Sequence, residues 1–583
     1  MRRSYEILLH GQILERPLGE PAAISTRGTP SGMHNRVITL MPYSVREPSF
    51  MSSETFVSPS ARNQTDVYAV HGADPEVLAY AMAKYSRSAL SMRQSLTEIS
   101  AQRAEQFLNT FYFQYGHRSI ADLAHIAFAV ERLSLLAAIV LVDEQRWDGQ
   151  ERSTRYQNFL KSGWYLPDFG SDSSSEQIFT NTIGRLFESY QRTTAGILEV
   201  LRGRVPCPET LKPDAYERTL KARAFDVARY LLPLATNTSL GQIVNARTLE
   251  TQVSRLLSHP MAEIRDLGLK LREAATGPAW NINAESGAAL VDKLSAIEGG
   301  DNSALTAEAA QLLTREIRTA PTLVKYAQPN NYLLQTQAEL TQAAAEILAN
   351  QPIAEAPLVD LVERTESLEV ELAATLIYSA SHHPYRQIRD LVASFPESRV
   401  TEIIELGLRH RGRHDEALRA FHAGAALRFD ILMDIGGFRD MHRHRRCTQI
   451  IQSFTALHGY DTPTNCDLEA DVNLLAEANL LDDYRGAIDE AHRASAQIAA
   501  GGAPEASQSA LYLLPLATRI RSLFKMDLAE AQYISELRSG PAGHFSYRRV
   551  AWEMFVALKR QHPILARHIR VTDFTQPIDL LQR

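Results

Sequence analysis

The sequence predicts an α+β fold, dominated by helix and built from two tandem copies of one domain. The string Tyr-Leu-Leu-Pro-Leu-Ala-Thr stands at 230–236 and again at 512–518, an offset of 512 − 230 = 282, which is the spacing of whole domains. Apolar residues recur at helical spacing through most of the chain, interrupted by short apolar runs at 125–130 and 427–432 that read as strands. At 583 residues, 45% hydrophobic and 22% charged, the chain is long enough for two or three separate cores.

The elements follow in order. Residues 1–65 are rich in Ser, Pro, Arg and Gly without periodicity, which predicts an extended, partly disordered N-terminal extension. The first copy, 66–275, opens with helices at 75–86 and 101–115, the second stopped by Gly116. A strand at 125–130 and a buried helix at 133–142 come next. Beyond a loop at 146–156, the spacing predicts helices at 178–202, 216–230, 244–257 and 263–274. Residues 276–355, with Gly299-Gly300, Pro329-Asn330-Asn331 and Ala-rich stretches, read as a helical insert and linker. The second copy, 356–583, repeats the order: a helix at 368–381, a strand at 427–432, and closing helices from 509 onward. The repeated heptamer reads as a structural hinge between helices.

Charge and cysteine usage narrow the function. Lys plus Arg is 61 against 68 acids, a net charge of −7, which argues against a protein that coats nucleic acid. Cys207, Cys447 and Cys466 are far apart with no C-x-x-C spacing, so a disulfide framework and an ordinary zinc site are excluded and a reducing, cytoplasmic setting is expected. Met1-Arg2-Arg3-Ser4-Tyr5 leads into no apolar core of a signal peptide. The most apolar run, 133–142, is about half the length of a membrane span, so no membrane partner is expected.

The most chemically loaded segment is His442-Arg443-His444-Arg445-Arg446, preceded by Gly436-Gly437. Such a cluster repels itself unless an anion neutralises it. Two readings stay open on composition: a solvated basic surface that contacts nucleic acid, or a built anion site. A metal site on His442 and His444 is weaker, because residues two apart do not share a helix face and the arginines repel a cation.

Spacing adds a resemblance. Arg443-His444-Arg445, seven residues, then Ser453 resembles the R-H-R-x7-S signature of the flavin-dependent thymidylate synthase family. The closing part of the longer family motif reappears in the first copy as Glu151-Arg152-Ser153-Thr154-Arg155-Tyr156, where the R-H-R positions hold Asp143, Glu144 and Gln145. The second copy has the complementary loss, with Ile450, Ile451, Thr455 and Ala456 at the N-E and R-Y positions. Further family-like residues are Gly116, His117 and Ser119, then Arg229 with Pro233, Asn245 with Arg247, and Arg255 with His259. The second copy keeps Pro515 and Arg538 but has Leu511, Asp527 and Ala529 in place of Arg229, Asn245 and Arg247.

The resemblance implies a thymidylate synthase-like fold in each copy and an FAD-dependent methylation of dUMP, or of a related pyrimidine nucleotide at C5. Methylenetetrahydrofolate would supply the carbon and NADPH the reducing equivalents. It implies cofactor-binding roles for His117, Ser119, Asn245, Arg247, His259, Arg443, His444, Arg445, Arg446 and Ser453. Glu151, Ser153, Arg155 and Arg229 would hold the nucleotide, and Arg538 or Arg255 would polarise the uracil ring. Ser119 and Asn245 also read as helix caps. Complementary loss predicts a pseudo-dimer with a composite FAD and nucleotide site, two chains forming a homodimer in place of the family's tetramer. The competing expectations are a flavin- or nucleotide-binding protein without turnover, and a nucleic-acid-binding module using 442–446.

Overall fold

A computed structural model describes residues 8–9, 12–13, 74–84 and 118–581, apart from 282–283, 297–302, 315, 326, 364–365, 413–414, 416–417, 422–426, 464–472, 502–503 and 568. The helix expected at 101–115 and His117 lie outside the described residues. The chain divides into two units, residues 1–69 and 70–583. In the first, strands β1 (Leu8–Leu9) and β2 (Gln12–Ile13) pair antiparallel.

In the second unit each copy is organised around an antiparallel sheet. The first sheet has the order β3-β5-β4, with β3 at His125–Ser134, β4 at Asp148–Glu151 and β5 at Asn237–Asn245. The second has the order β6-β7-β9-β8, with β6 at Val359–Leu361, β7 at Leu427–Asp434, β8 at Thr448–Ile451 and β9 at Arg519–Met526. The registers agree: Ser134 faces Asn237 as Asp434 faces Arg519, and Glu151 faces Leu240 as Ile451 faces Ser522. The second sheet differs by the added edge strand β6.

Helices account for most of the rest, and the expected helix-dominated α+β class holds. Ser173–Arg204 contains the expected 178–202, Ala262–Thr276 the expected 263–274, and Leu368–Ser379 lies within 368–381. Five strands of this unit, β4, β5, β6, β8 and β9, were missed. The helix expected from 244 begins at Ala246, because Val244 and Asn245 end β5, the central strand of its sheet. Likewise the segment from 509 is not all helix but includes β9. Both central strands carry few apolar residues at strict alternation, and β4 and β8 are four residues long, too short for a periodic signal.

The heptamer is not a hinge between helices. In each copy it leaves a 3₁₀ turn, Arg229–Leu231 or Leu511–Leu513, and leads into the central strand. Its backbone pairs with its own repeat: Leu234 N–H donates to Leu514 C=O at 2.9 Å and Leu516 N–H to Leu232 C=O at 2.9 Å. Ala235 N–H donates to Tyr512 C=O and Ala517 N–H to Tyr230 C=O. Adding 282 to one set of these bonds reproduces the other, and Pro233 faces Pro515 between them. The same strings also start a helix in each copy, through Leu136 N–H to Leu234 C=O and Gly436 N–H to Leu516 C=O. Every side chain from Tyr230 to Thr236, and from Tyr512 to Thr518, apart from the two prolines, is at most 2% exposed. A fully buried segment with its backbone committed on two sides tolerates little change, which accounts for the identical sequence.

Elsewhere the copies meet through Ser173–Arg204 and Leu481–Ala499, where Arg185 and Arg192 both pair with Asp483, at 2.8 and 3.0 Å. Among the described residues no helix is long and apolar enough to cross a membrane.

Candidate active site

Short helices position the two signature loops. Ser134 caps Leu135–Leu141 by accepting from Ala137 N–H, and Asp434 caps Ile435–Met441 by accepting from Gly437 N–H. The caps are 434 − 134 = 300 apart, so Asp143, Glu144 and Gln145 occupy the places of Arg443, His444 and Arg445. The family spacing in the two loops is therefore the same piece of structure twice.

Around the basic loop, residues of both copies converge on Asp440. Its carboxylate accepts from Arg229 Nη1 at 3.2 Å. Burial pushes that carboxyl up, but Arg229, Arg155, Arg443 and Arg538 outweigh it and hold the pKa at about 2. Arg155 is fixed by Asp226 at 2.8 Å, by the Tyr547 hydroxyl at 2.8 Å and by Ala542 C=O at 3.1 Å. Glu151 accepts from Arg439 of the second copy, and Ser153 Oγ accepts from Arg155 N–H at 3.2 Å.

His444 is buried and accepts at Nε2 from Arg538 Nε–H, 2.7 Å away. That bond puts the remaining ring proton on Nδ1, which faces Glu530 at 3.4 Å. Burial, with Arg538 beside it, lowers the imidazole pKa and keeps the ring neutral. Arg538 also lies over the Tyr547 ring at 5.4 Å, so Tyr547 links it to Arg155. Arg443 is exposed, Arg445 half-buried, and Arg446 makes an exposed ion pair with Asp527 at 3.0 Å. Ser453 is exposed just past β8.

The other expected residues lie apart from this cluster. Arg247 and Arg255 line a cavity of about 860 Å³, together with Asp143, Glu144, Gln145, Gln449 and Ile451. There Arg255 donates to Glu144 at 2.8 Å and to Val140 C=O at 3.0 Å, and Arg419 donates to the Asp143 carboxylate and carbonyl. Burial raises the Asp143 pKa less than Arg419, His442 and Arg255 lower it, leaving about 2. Asn245 caps Ala246–Leu257 by accepting from Thr248 N–H, as its alternative reading expects. His259 Nδ1 accepts from Met261 N–H at 3.2 Å, and burial takes the ring to a pKa of about 4. Ser119 falls in the 3₁₀ segment Arg118–Leu123. Arg255 pairs with its own copy's acidic loop and Arg247 with Asp122, while Glu151 pairs with Arg439 and Arg229 with Asp440, on the helix that leads into the basic loop of the other copy.

The two places differ in unspent hydrogen-bonding capacity. Near the basic loop, Nε and Nη2 of Arg229, Nε of Arg439 and Nε of Arg445 are buried without a hydrogen-bond partner among the described residues. In the lining of the large cavity, no buried side-chain polar atom among the described residues lacks one. Buried guanidinium donors left open are costly, and an anion that accepts from them relieves the cost. Sequence reasoning did not find Asp440, Arg439, Tyr547, Asp226 or Arg419, none of which belongs to the signature. Asp440 and Arg439 stand just before the basic loop, and only that nearness could have pointed to them.

The fold and its duplicated site define a tandem member of a known class. The chain belongs to the thymidylate synthase complementing protein family, whose model matches residues 69–277 and 360–564. It is 26% identical over 554 residues to a UPF0159 protein of Chlamydia pneumoniae, covering 88% of this chain and 93% of the relative. It is 22% identical over 221 residues to a flavin-dependent thymidylate synthase of Clostridium tetani, covering 38% of this chain and 85% of that one. A solved flavin-dependent thymidylate synthase of Helicobacter pylori, complexed with FAD and dUMP, aligns with a TM-score of 0.23 at 16% identity, over 35% of this chain and 89% of that chain.

Proposed function

We propose that the chain is an FAD-dependent thymidylate synthase-like enzyme that methylates dUMP, or a related pyrimidine nucleotide, at C5. Methylenetetrahydrofolate is the carbon donor and NADPH the reductant, and the two copies form a pseudo-dimer sharing one composite site. The observation that carries this reading is that residues of the two copies meet beside the basic loop: Arg229 pairs with Asp440 at 3.2 Å, Glu151 with Arg439, and Arg155 and Arg538 share Tyr547. Family membership and the FAD- and dUMP-bound relative support it. The reciprocal heptamer bonds support the pseudo-dimer, and two such chains would form a homodimer with the subunit count of a tetramer.

The open donors of Arg229, Arg439 and Arg445 fit a ligand with phosphate or electron-rich ring oxygens. Arg443, His444 and Arg445 would hold FAD, which supplies the hydride when bound and reduced. Ser153 and Arg155 would take the nucleotide phosphate, with Glu151 toward the sugar or base. Of the two arginines matching the ring-polarising position, Arg538 is the one in reach of this site, since Arg255 is engaged by Glu144. Its guanidinium would stabilise negative charge developing on the uracil. His444, neutral and fixed as the Nδ1–H tautomer, accepts from Arg538 and so holds that guanidinium in one orientation. The thiol of Cys447, raised to about 12 by burial, is no nucleophile.

The test is a visible spectrum of the purified chain. A flavin spectrum that bleaches with NADPH and shifts with dUMP, followed by methylated product on adding methylenetetrahydrofolate, is expected. A colourless preparation that FAD cannot reconstitute would overturn the reading, and flavin binding without any turnover would leave a binding protein in its place.

A further inference from the structure

We infer that the acidic loop of the first copy has become a clamp for the basic loop of the second, with Trp147 and Asp143 as positioning residues. The inference rests on the proposed flavin site at Arg443–His444–Arg445. The Arg445 guanidinium lies 4.3 Å from the centre of the Trp147 ring, a cation–π arrangement in which the flat guanidinium is held over the indole face. The indole is itself immobile. Trp147 is 5% exposed, and its Nε1–H donates to Gln242 Oε1 at 2.7 Å. Gln252, which donates to Leu141 C=O at 2.9 Å, also donates to that Gln242 oxygen, at 3.3 Å. Gly149 leaves the ring its room, since a Cβ there would come within 2.5 Å of it.

A second hold lies at the start of the loop. It runs through Arg419, which donates to the Asp143 carboxylate and to Gln449 C=O at 3.4 Å; Gln449 in turn donates to His444 C=O at 2.7 Å and meets His442 Nδ1 at 2.8 Å through its Oε1. Asp143 is in turn anchored by Arg419 through its carboxylate and its carbonyl. The basic loop is thus held by the same five-residue stretch of the other copy, directly at Arg445 by Trp147 and through Arg419 and Gln449 from Asp143. The grip is not a symmetric leftover of duplication. At the equivalent places the second copy has Cys447 where the first has Trp147, and the first has Gln145 where the second has Arg445. Neither a ring nor a cation is present to make the reciprocal contact, so the interaction belongs to the divergence of the two copies. Stacking on Trp147 leaves Arg445 Nε without a hydrogen-bond partner among the described residues, so the fixed guanidinium still has a donor to offer a ligand beside the exposed Arg443.

The experiment uses the full chain and two readouts. The first is trypsin cleavage after Arg443, Arg445 and Arg446 in the ligand-free protein, for wild type, Trp147→Leu, Trp147→Phe and Asp143→Asn. Trp147→Leu is expected to raise cleavage in this loop at least tenfold, Asp143→Asn several-fold, and Trp147→Phe, which keeps a ring, less than threefold, at melting temperatures high enough to exclude global unfolding. Equal cleavage in wild type and Trp147→Leu would overturn the clamp. Should Trp147→Leu fail to fold, equal cleavage in wild type and Asp143→Asn would do the same. The second readout is FAD affinity for Trp147→Leu, Arg445→Ala and the double variant. Each single change is expected to weaken binding about tenfold and the double to be no worse than either; a multiplicative, hundredfold loss would overturn it. A wild-type chain that binds no FAD would sink the proposed function, while the cleavage readout would still decide the clamp.

Discussion

Asp440 is the carboxylate on which the arginines of the candidate site act together. It stands in the second copy where the first has Val140, and the four arginines around it hold its pKa at about 2 against the upward push of burial. A carboxyl whose folded pKa lies below its unfolded one stabilises above the unfolded value, near 4, and loses that contribution as pH falls through the folded one. The shift corresponds to about 2 kcal/mol. Asp440→Asn is therefore expected to lower stability by about that much at pH 7, with the difference from wild type shrinking between pH 4 and pH 2. Thermal melts across that range check it; a gap that persists unchanged to pH 2 would contradict the assignment. Asp434 has the opposite sign. Burial and Asp461 raise it to about 6 despite Arg229, so its contribution is present below pH 4 and lost as pH rises toward 6. At this scale the sequence pointed to His444 and Arg538, which the fold brings together at 2.7 Å. It was silent on Asp440, Tyr547 and Asp226, whose importance comes from contacts between segments hundreds of positions apart.

Among the elements, the strands at the sheet centres are the least legible in sequence and matter most for placing the site. β5 is bracketed by β3 and β4 and carries Gln242, which ties down Trp147, yet its burial alternates with polar residues such as Asn237, Thr238 and Ser239 that give no apolar period. The helices Ser173–Arg204 and Ala262–Thr276 were readable because one face of each is buried at regular spacing. β4 has one requirement that a reader of the sequence could not derive: Gly149, where a Cβ would stand 2.3 Å from Gly241 C=O and 2.5 Å from the Trp147 ring. Gly149→Ala is expected to destabilise by about 1–3 kcal/mol through overpacking. Gly203→Ala, on Ser173–Arg204 with open space at the Cβ, is expected to be neutral or stabilising by up to about 1 kcal/mol. Urea unfolding of the pair checks this, and equal effects of the two changes would contradict the packing at β4.

For the whole molecule, duplication was readable because the heptamer and the two half-motifs are local strings, and the family model matches both copies. Which half would meet which was not readable, because it depends on how the copies pack. The heptamer bonds reciprocate across them, Glu151 and Arg229 pair with Arg439 and Asp440 just before the basic loop of the other copy, and Arg419 and Arg255 of the opposite cavity are turned onto Asp143 and Glu144. With open donors near the basic loop and Arg255 and Arg419 paired in the opposite cavity, the proposed function carries the expectation of a single cofactor per chain. Equilibrium titration of the purified chain with FAD tests this most directly. The account expects saturation at one FAD per chain, abolished by Arg443→Ala with His444→Ala and unaffected by Arg247→Ala; two FAD per chain, or one that survives the double change, would contradict it.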